Sequence, residues 1–244
     1  MSSYTPSVGA MPTREAVMAQ VREENFPVAL RLLGPRIHRH LLAIYGFARL
    51  VDDVGDEVPG DRRALLDELE RELDAPQHPV MCALAATRRE CALPRESFLR
   101  LIEANRRDQV MTRYESLDQL LEYCRLSAAP VGELVLQVFG AATPEQIALS
   151  DRICSALQLI EHLQDVEEGR ARGREYLGPP AHAFAGPAEA RSLLEAGAPL
   201  VRRLRGRARL AVAGFLAGGR VALDAIEGRR RRFSVAYLRA VIGK

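Results

Sequence analysis

Apolar residues in this 244-residue chain recur with the period of a helix, and no run alternates apolar with polar residues long enough to require a strand. The segment from Arg36 onward shows this most plainly, with Ile37, Leu41, Ile44, Phe47, Ala48 and Val51 on one helical face. Other segments carry start signals. Pro79 and Pro94 stand where a first helical turn tolerates a missing N–H. Ser116-Leu117-Asp118-Gln119 has the form of a capping box, and Thr143-Pro144-Glu145-Gln146 is a further start. Helices are expected over about 14–24 and 62–73, and Pro130 either kinks the helix that begins near Ser116 or opens the next one. Residues 178–189 read as a loop because of their prolines. A helical stretch then runs over 190–222, with Gly218-Gly219 its weakest point. The chain is therefore expected to be all-α, with about nine to eleven helices. A single domain over 1–244 is expected, with a loose terminus over 1–12 and a basic tail over 228–244.

Composition narrows the class further. Hydrophobic residues make up 48% and charged residues 27%, a globular balance, and the absence of Trp predicts a core of Leu, Ala and Val. A formal charge of +2 gives no reason to expect a nucleic-acid partner. Cys82, Cys91, Cys124 and Cys154 lack CxxC spacing, and no apolar run follows a basic start, so we expect a reduced cytoplasmic protein without disulfides, zinc or a signal peptide. The most apolar stretch, 126–149, is broken by Pro130, Glu133, Gln137, Pro144 and Glu145 and does not read as a membrane span.

Two acidic clusters, Asp52-Asp53-Val54-Gly55-Asp56-Glu57 and Glu161 to Glu168, lie more than a hundred residues apart in helical sequence. On a helix of roughly 3.6 residues per turn, Tyr45, Arg49, Asp52 and Asp56 fall within roughly 60° of one another. Carboxylates one turn apart repel, so this stripe suits a bridging cation better than local stability. Oxygen ligands of this kind suit Mg²⁺. Glu161, Asp165 and Glu168 form a second acidic stripe, followed by Gly169, Arg172, Arg174 and Tyr176. The plainer reading of each cluster alone is a solvated helix end. His38 and His40 point to different faces and do not suit a shared metal, and His162 reads as a packed or surface histidine. Arg229 to Arg232 read as a solvated tail or as contacts to anionic lipid headgroups.

Three strings, HLLAIYGFARLVDDVGDE (40–57), DQVMTRYESLDQLLEYCRLSAAPVGELVLQVFG (108–140) and LQLIEHLQDVEEGRARGREYL (157–177), together resemble the squalene/phytoene synthase family in order and spacing. The similarity runs over about 20–227. Asn25-Phe26-Pro27 and the strings at 127–132 and 161–165 are most similar to its hopanoid-pathway branch, which includes hydroxysqualene synthases acting on presqualene diphosphate. The resemblance implies an isoprenoid-synthase-like helical bundle with a central cavity. It also implies Mg²⁺ held by Asp52, Asp56, Asp165 and Glu168, and a prenyl diphosphate contacted by Tyr45, Arg49, Arg113, Gln158, Arg174 and Tyr176. Tyr45, Arg49, Asp52, Asp56 and Asp165 would carry the chemistry, and apolar residues of 126–140 would shield the carbocation.

The chain departs from the family's pattern at Gly169, where a further Asp is usual, at Gly178 before Pro179, and at Ala129, where the branch often has Asn. No glycine-rich strand-to-helix turn suggests NADPH. Water capture of the cation to give hydroxysqualene is the expected reaction. The alternatives are condensation of farnesyl or geranylgeranyl diphosphate, or a weakened homologue that serves as an assembly partner for related pathway enzymes. Peripheral contact with the inner face of the membrane is a further expectation.

Overall fold

The computed structural model describes residues 10–19, 33–111, 114–164, 186–229 and 232–242, and every regular element among them is helical. The chain divides into two compact units, 1–110 and 111–244.

The first unit contains α1 (Arg14–Ala19), α2 (Pro35–Asp56), α3 (Arg62–Glu72), α4 (Pro79–Cys91) and α5 (Arg95–Asp108). Helix α2 is its centre and packs against the other four. Leu41, Ile44, Phe47, Leu50, Val51 and Val54 are buried along its length, so the expected apolar face is the core face. Phe47 meets Phe98 of α5 edge-on, with centroids 5.1 Å apart, and the Arg88 guanidinium of α4 lies 5.6 Å from the Phe98 ring. An aromatic edge contact of this sort adds about 1 kcal/mol to the burial itself. Arg106 pins α5 to α3 through Asp67 and Glu70, each at 2.6 Å. Asp61 starts α3 by accepting from the Ala64 amide at 3.0 Å.

The second unit contains α6 (Leu117–Ser127), α7 (Ala129–Val138), α8 (Pro144–Gln164), α9 (Pro187–Gly197), α10 (Pro199–Arg203), α11 (Gly206–Ile226) and α12 (Phe233–Ile242). Helix α8 packs against α6, α7, α9, α10 and α11. Its start is a reciprocal cap, in which Gln146 N donates to Thr143 Oγ1 at 3.3 Å and Thr143 N donates to Gln146 Oε1 at 3.2 Å. At Ser116 only half of the box forms, because the Gln119 side chain accepts from Glu115 N rather than from Ser116 N. Pro130 opens α7 rather than kinking α6, since it falls in the first turn, where its absent N–H has no partner to lose.

Two expectations for 178–222 are corrected. The loop does not extend to Glu189: α9 begins at Pro187, and the Glu189 carboxylate accepts from Gly186 N at 2.9 Å. Nor is 190–222 one helix weakest at Gly218-Gly219. The breaks fall between α9 and α10 and between α10 and α11, whereas both glycines lie inside α11. A Cβ at Gly219 would come within 2.9 Å of Leu157 and 3.1 Å of Leu194, so the missing side chain lets α11 close on α8 and α9. The sequence signal there was close packing, not a break. The basic tail holds helix α12, and the exposed Arg229 pairs with Asp224 and Glu227 of the α11 end. Among the described residues no helix is long and apolar enough to cross a membrane.

Candidate active site

Helix α2 carries Tyr45, Arg49, Asp52 and Asp56 along one stripe, as their spacing predicts. Tyr45 and Arg49 are half-buried, and Asp52 and Asp56 are exposed at the C-terminal end. Carboxylates at this end of a helix face its negative pole as well as each other. A cation shared between them relieves both effects.

Two residues outside the expected ligand set, Asp53 and Asn105, hold this stripe in shape, the first with help from Glu57. Asp53 is buried, and its Oδ1 lies 2.6 Å from Arg49 Nε, while Glu57 Oε1 lies 3.0 Å from Arg49 Nη2. The guanidinium is therefore posed by carboxylates at i+4 and i+8, not by the pair it was grouped with. Burial raises the Asp53 pKa more than the neighbouring Arg49 lowers it. Burial also works against the charge of Arg49, but Asp53, Glu57 and Asp52 outweigh it and raise the guanidinium pKa above its ordinary value.

The second such residue is Asn105 of α5. Its Nδ2 donates to Asp52 Oδ1 at 3.1 Å and to Leu101 O at 3.4 Å. Gln109 Nε2 donates to Gly55 O at 2.9 Å and to Asn105 O at 3.0 Å, satisfying a carbonyl in the last turn of α2. The approach is close because residue 55 is glycine: a Cβ there would lie 2.1 Å from Asn105 Oδ1. The available signal was a polar residue among the buried positions Phe98, Leu101, Ile102 and Ala104 of α5.

Gln158 is half-buried on α8, and its amide donates to Glu161 at 3.2 Å. His162 is buried, 6.5 Å from the Tyr123 ring, which stands 5.4 Å from the buried Tyr114. Burial pushes the His162 pKa down to about 4, so its ring is neutral at pH 7, in keeping with a packed histidine. Arg113, Asp165, Glu168, Gly169, Arg174 and Tyr176 lie outside the described residues. All four cysteines are free thiols. Among the described residues no three of His, Cys, Asp and Glu gather as a metal-binding group. Asp52 and Asp56 nonetheless fit Mg²⁺, which takes one or two carboxylates and completes its shell with water and phosphate oxygens.

The described residues fold as helices alone, and the solved structures they match share the squalene-synthase-type isoprenoid synthase fold. The chain is similar to squalene synthase HpnC from Alicyclobacillus acidocaldarius, with TM-score 0.78 and 33% identity over 89% of this chain and 95% of that one. A dehydrosqualene synthase solved with a ligand, 20% identical, shares the fold with TM-score 0.77 over 94% of both chains. Residues 20–180 match the squalene/phytoene synthase family, and the chain belongs to it.

Among curated relatives, the hydroxysqualene synthase of Rhodopseudomonas palustris is 35% identical over 90% of this chain and 77% of its own length. That of Sinorhizobium fredii is 40% identical over 60% of this chain, and the chain spans 52% of that protein's length. The phytoene synthase of Mycobacterium tuberculosis is 33% identical over 63% of this chain and 52% of its own length.

Proposed function

We propose that this chain is a Mg²⁺-dependent enzyme of C30 isoprenoid synthesis that converts presqualene diphosphate to hydroxysqualene on the way to hopanoids. The observation that carries the reading is the α2 stripe: two exposed carboxylates beside an arginine held by Asp53 and Glu57. The 35% identity to a hydroxysqualene synthase over 90% of the chain supports this branch over the condensing synthases.

In the reaction the C–O bond to the diphosphate breaks and its electron pair leaves with the diphosphate oxygen. The cation rearranges, and a water molecule adds and loses a proton. Bound Mg²⁺ supplies charge neutralisation of the departing diphosphate. Asp52 and Asp56 would hold it, and Asp165 and Glu168 of the second acidic segment would be further ligands. Arg49, fixed before substrate arrives, stabilises the developing negative charge without reorganising. Tyr45, Arg113, Gln158, Arg174 and Tyr176 contact the substrate.

Incubation with presqualene, farnesyl or geranylgeranyl diphosphate, each with and without NADPH, tests this. Hydroxysqualene from presqualene diphosphate without nucleotide is the expected product, and phytoene from geranylgeranyl diphosphate would overturn the reading. Asp52→Asn should abolish diphosphate release, and Gly169→Asp should preserve or raise it.

The proposed setting is the cytoplasm, at the inner face of the membrane. On α12, Val235, Leu238 and Ile242 are exposed beside exposed Arg232 and Arg239, a pairing that suits an anionic lipid surface. Binding to anionic vesicles should weaken about fivefold for each arginine replaced by Gln. Equal binding to neutral vesicles would remove the headgroup contact.

A further inference from the structure

Asp52 is exposed one turn from the end of α2, and a metal ligand works best when its oxygens are fixed before the ion arrives. What fixes it comes from another helix. Asn105 is buried, with 7% of its surface exposed, and presents Nδ2 to Asp52 Oδ1 at 3.1 Å and to Leu101 O at 3.4 Å. The amide can take only this orientation, because an ionised carboxylate accepts and cannot donate. Its oxygen is turned toward the Cα of Gly55, where any side chain would collide with it. Gln109, one turn further along α5, ties the same turn of α2 through Gly55 O at 2.9 Å. The Nδ2 of a polar residue at a core position of α5 thus donates twice, and one acceptor is the first carboxylate of the stripe.

We infer that Asn105 is a positioning residue for Asp52: it holds one oxygen of the carboxylate in place before the cation arrives. Gly55 is the opening through which it reaches. This rests on the proposal that Asp52 is a metal ligand. The predicted signature is a defect in metal affinity rather than in maximal rate. Removing an outer partner of a ligand typically weakens metal binding by about tenfold or more.

Mn²⁺ binding, followed by its EPR signal in the presence of inorganic pyrophosphate, reads this without turnover. N105L and N105S should each weaken Mn²⁺ about tenfold, the serine because it is too short to reach Asp52. The Mg²⁺ concentration for half-maximal rate should rise in parallel, and the rate at saturating Mg²⁺ should return to within about twofold of the parent. D52N should weaken Mn²⁺ at least as much, and N105L added to D52N should weaken it no further. Parent-like Mn²⁺ affinity in N105L or N105S, with D52N impaired, overturns the role of Asn105 and leaves the proposed function standing. Parent-like affinity in D52N removes Asp52 as a ligand and the proposed function with it. Loss of helical circular dichroism in both Asn105 variants would mark the residue as a core group and also overturn the inference.

Discussion

Replacing Gly55 with Ala separates two effects that normally act together. In most helices the exchange is favourable, because Ala is about 0.8–1.0 kcal/mol better than Gly at an interior position. Here the new Cβ would stand 2.1 Å from Asn105 Oδ1, 2.9 Å from its Cγ and 3.2 Å from its Cβ. The clash involves a short side chain anchored in the core, so relief requires turning Asn105 away or separating α2 from α5. Overpacking of this kind costs about 1–3 kcal/mol, and the lost hydrogen bonds to Asp52 and Leu101 add about 1 kcal/mol. After the propensity gain, a net loss of about 2 kcal/mol remains, or roughly 4–8 °C in the thermal midpoint of a chain this long.

Gly218 supplies the control. It lies inside α11, and a Cβ there meets nothing within 4 Å, so Gly218→Ala should stabilise by up to about 1 kcal/mol. Urea unfolding of both variants beside the parent is sufficient. If Gly55→Ala stabilised as much as Gly218→Ala, the close approach of α2 and α5, and the reach of Asn105 to Asp52, would be refuted.

Asp53→Asn leaves Arg49 without its buried counter-charge and should destabilise by about 2–4 kcal/mol; an unchanged urea midpoint would show that Glu57 alone holds the arginine. His162 makes stability depend on acid. Its folded pKa of about 4 lies below the unfolded value of 6.5, so the unfolded chain binds the proton first. Its contribution is constant above pH 6.5 and falls as pH drops toward 4, by about 2–3 kcal/mol at pH 4.5, and His162→Gln should flatten that part of the profile. A parallel profile in the variant would show that the ring protonates where it sits. Burial pushes the Cys124 thiol up to about 12, so a thiol reagent at pH 8 should label exposed Cys82 first and reach Cys124 only on unfolding. Fast labelling of Cys124 in the native chain would contradict its buried placement.

The α2 helix, its apolar face and the stripe of Tyr45, Arg49, Asp52 and Asp56 were all legible in the sequence, because each depends only on residues within a few turns of one another. Caps at Ser116 and Thr143 were legible for the same reason. Pro187 resembles a loop residue in sequence because a proline breaks a helix interior and opens a helix start, and position alone separates the two. Gly218-Gly219 looks weak in sequence because a glycine's cost is local, whereas the reason for Gly219 lies in Leu157 and Leu194 of other helices.

The same division runs through the site. By itself the sequence determined an all-α chain of the squalene/phytoene synthase family, with carboxylates, guanidinium and phenol in helical register. Only the tertiary structure decided which carboxylate serves which purpose. Asp52 and Asp53 are neighbours of identical chemistry, but a helix turns roughly 100° between them. That turn exposes Asp52 beside Asn105 and buries Asp53 against Arg49. Burial and cross-helix contact, which no spacing rule encodes, make one the candidate ligand and the other the support for the arginine.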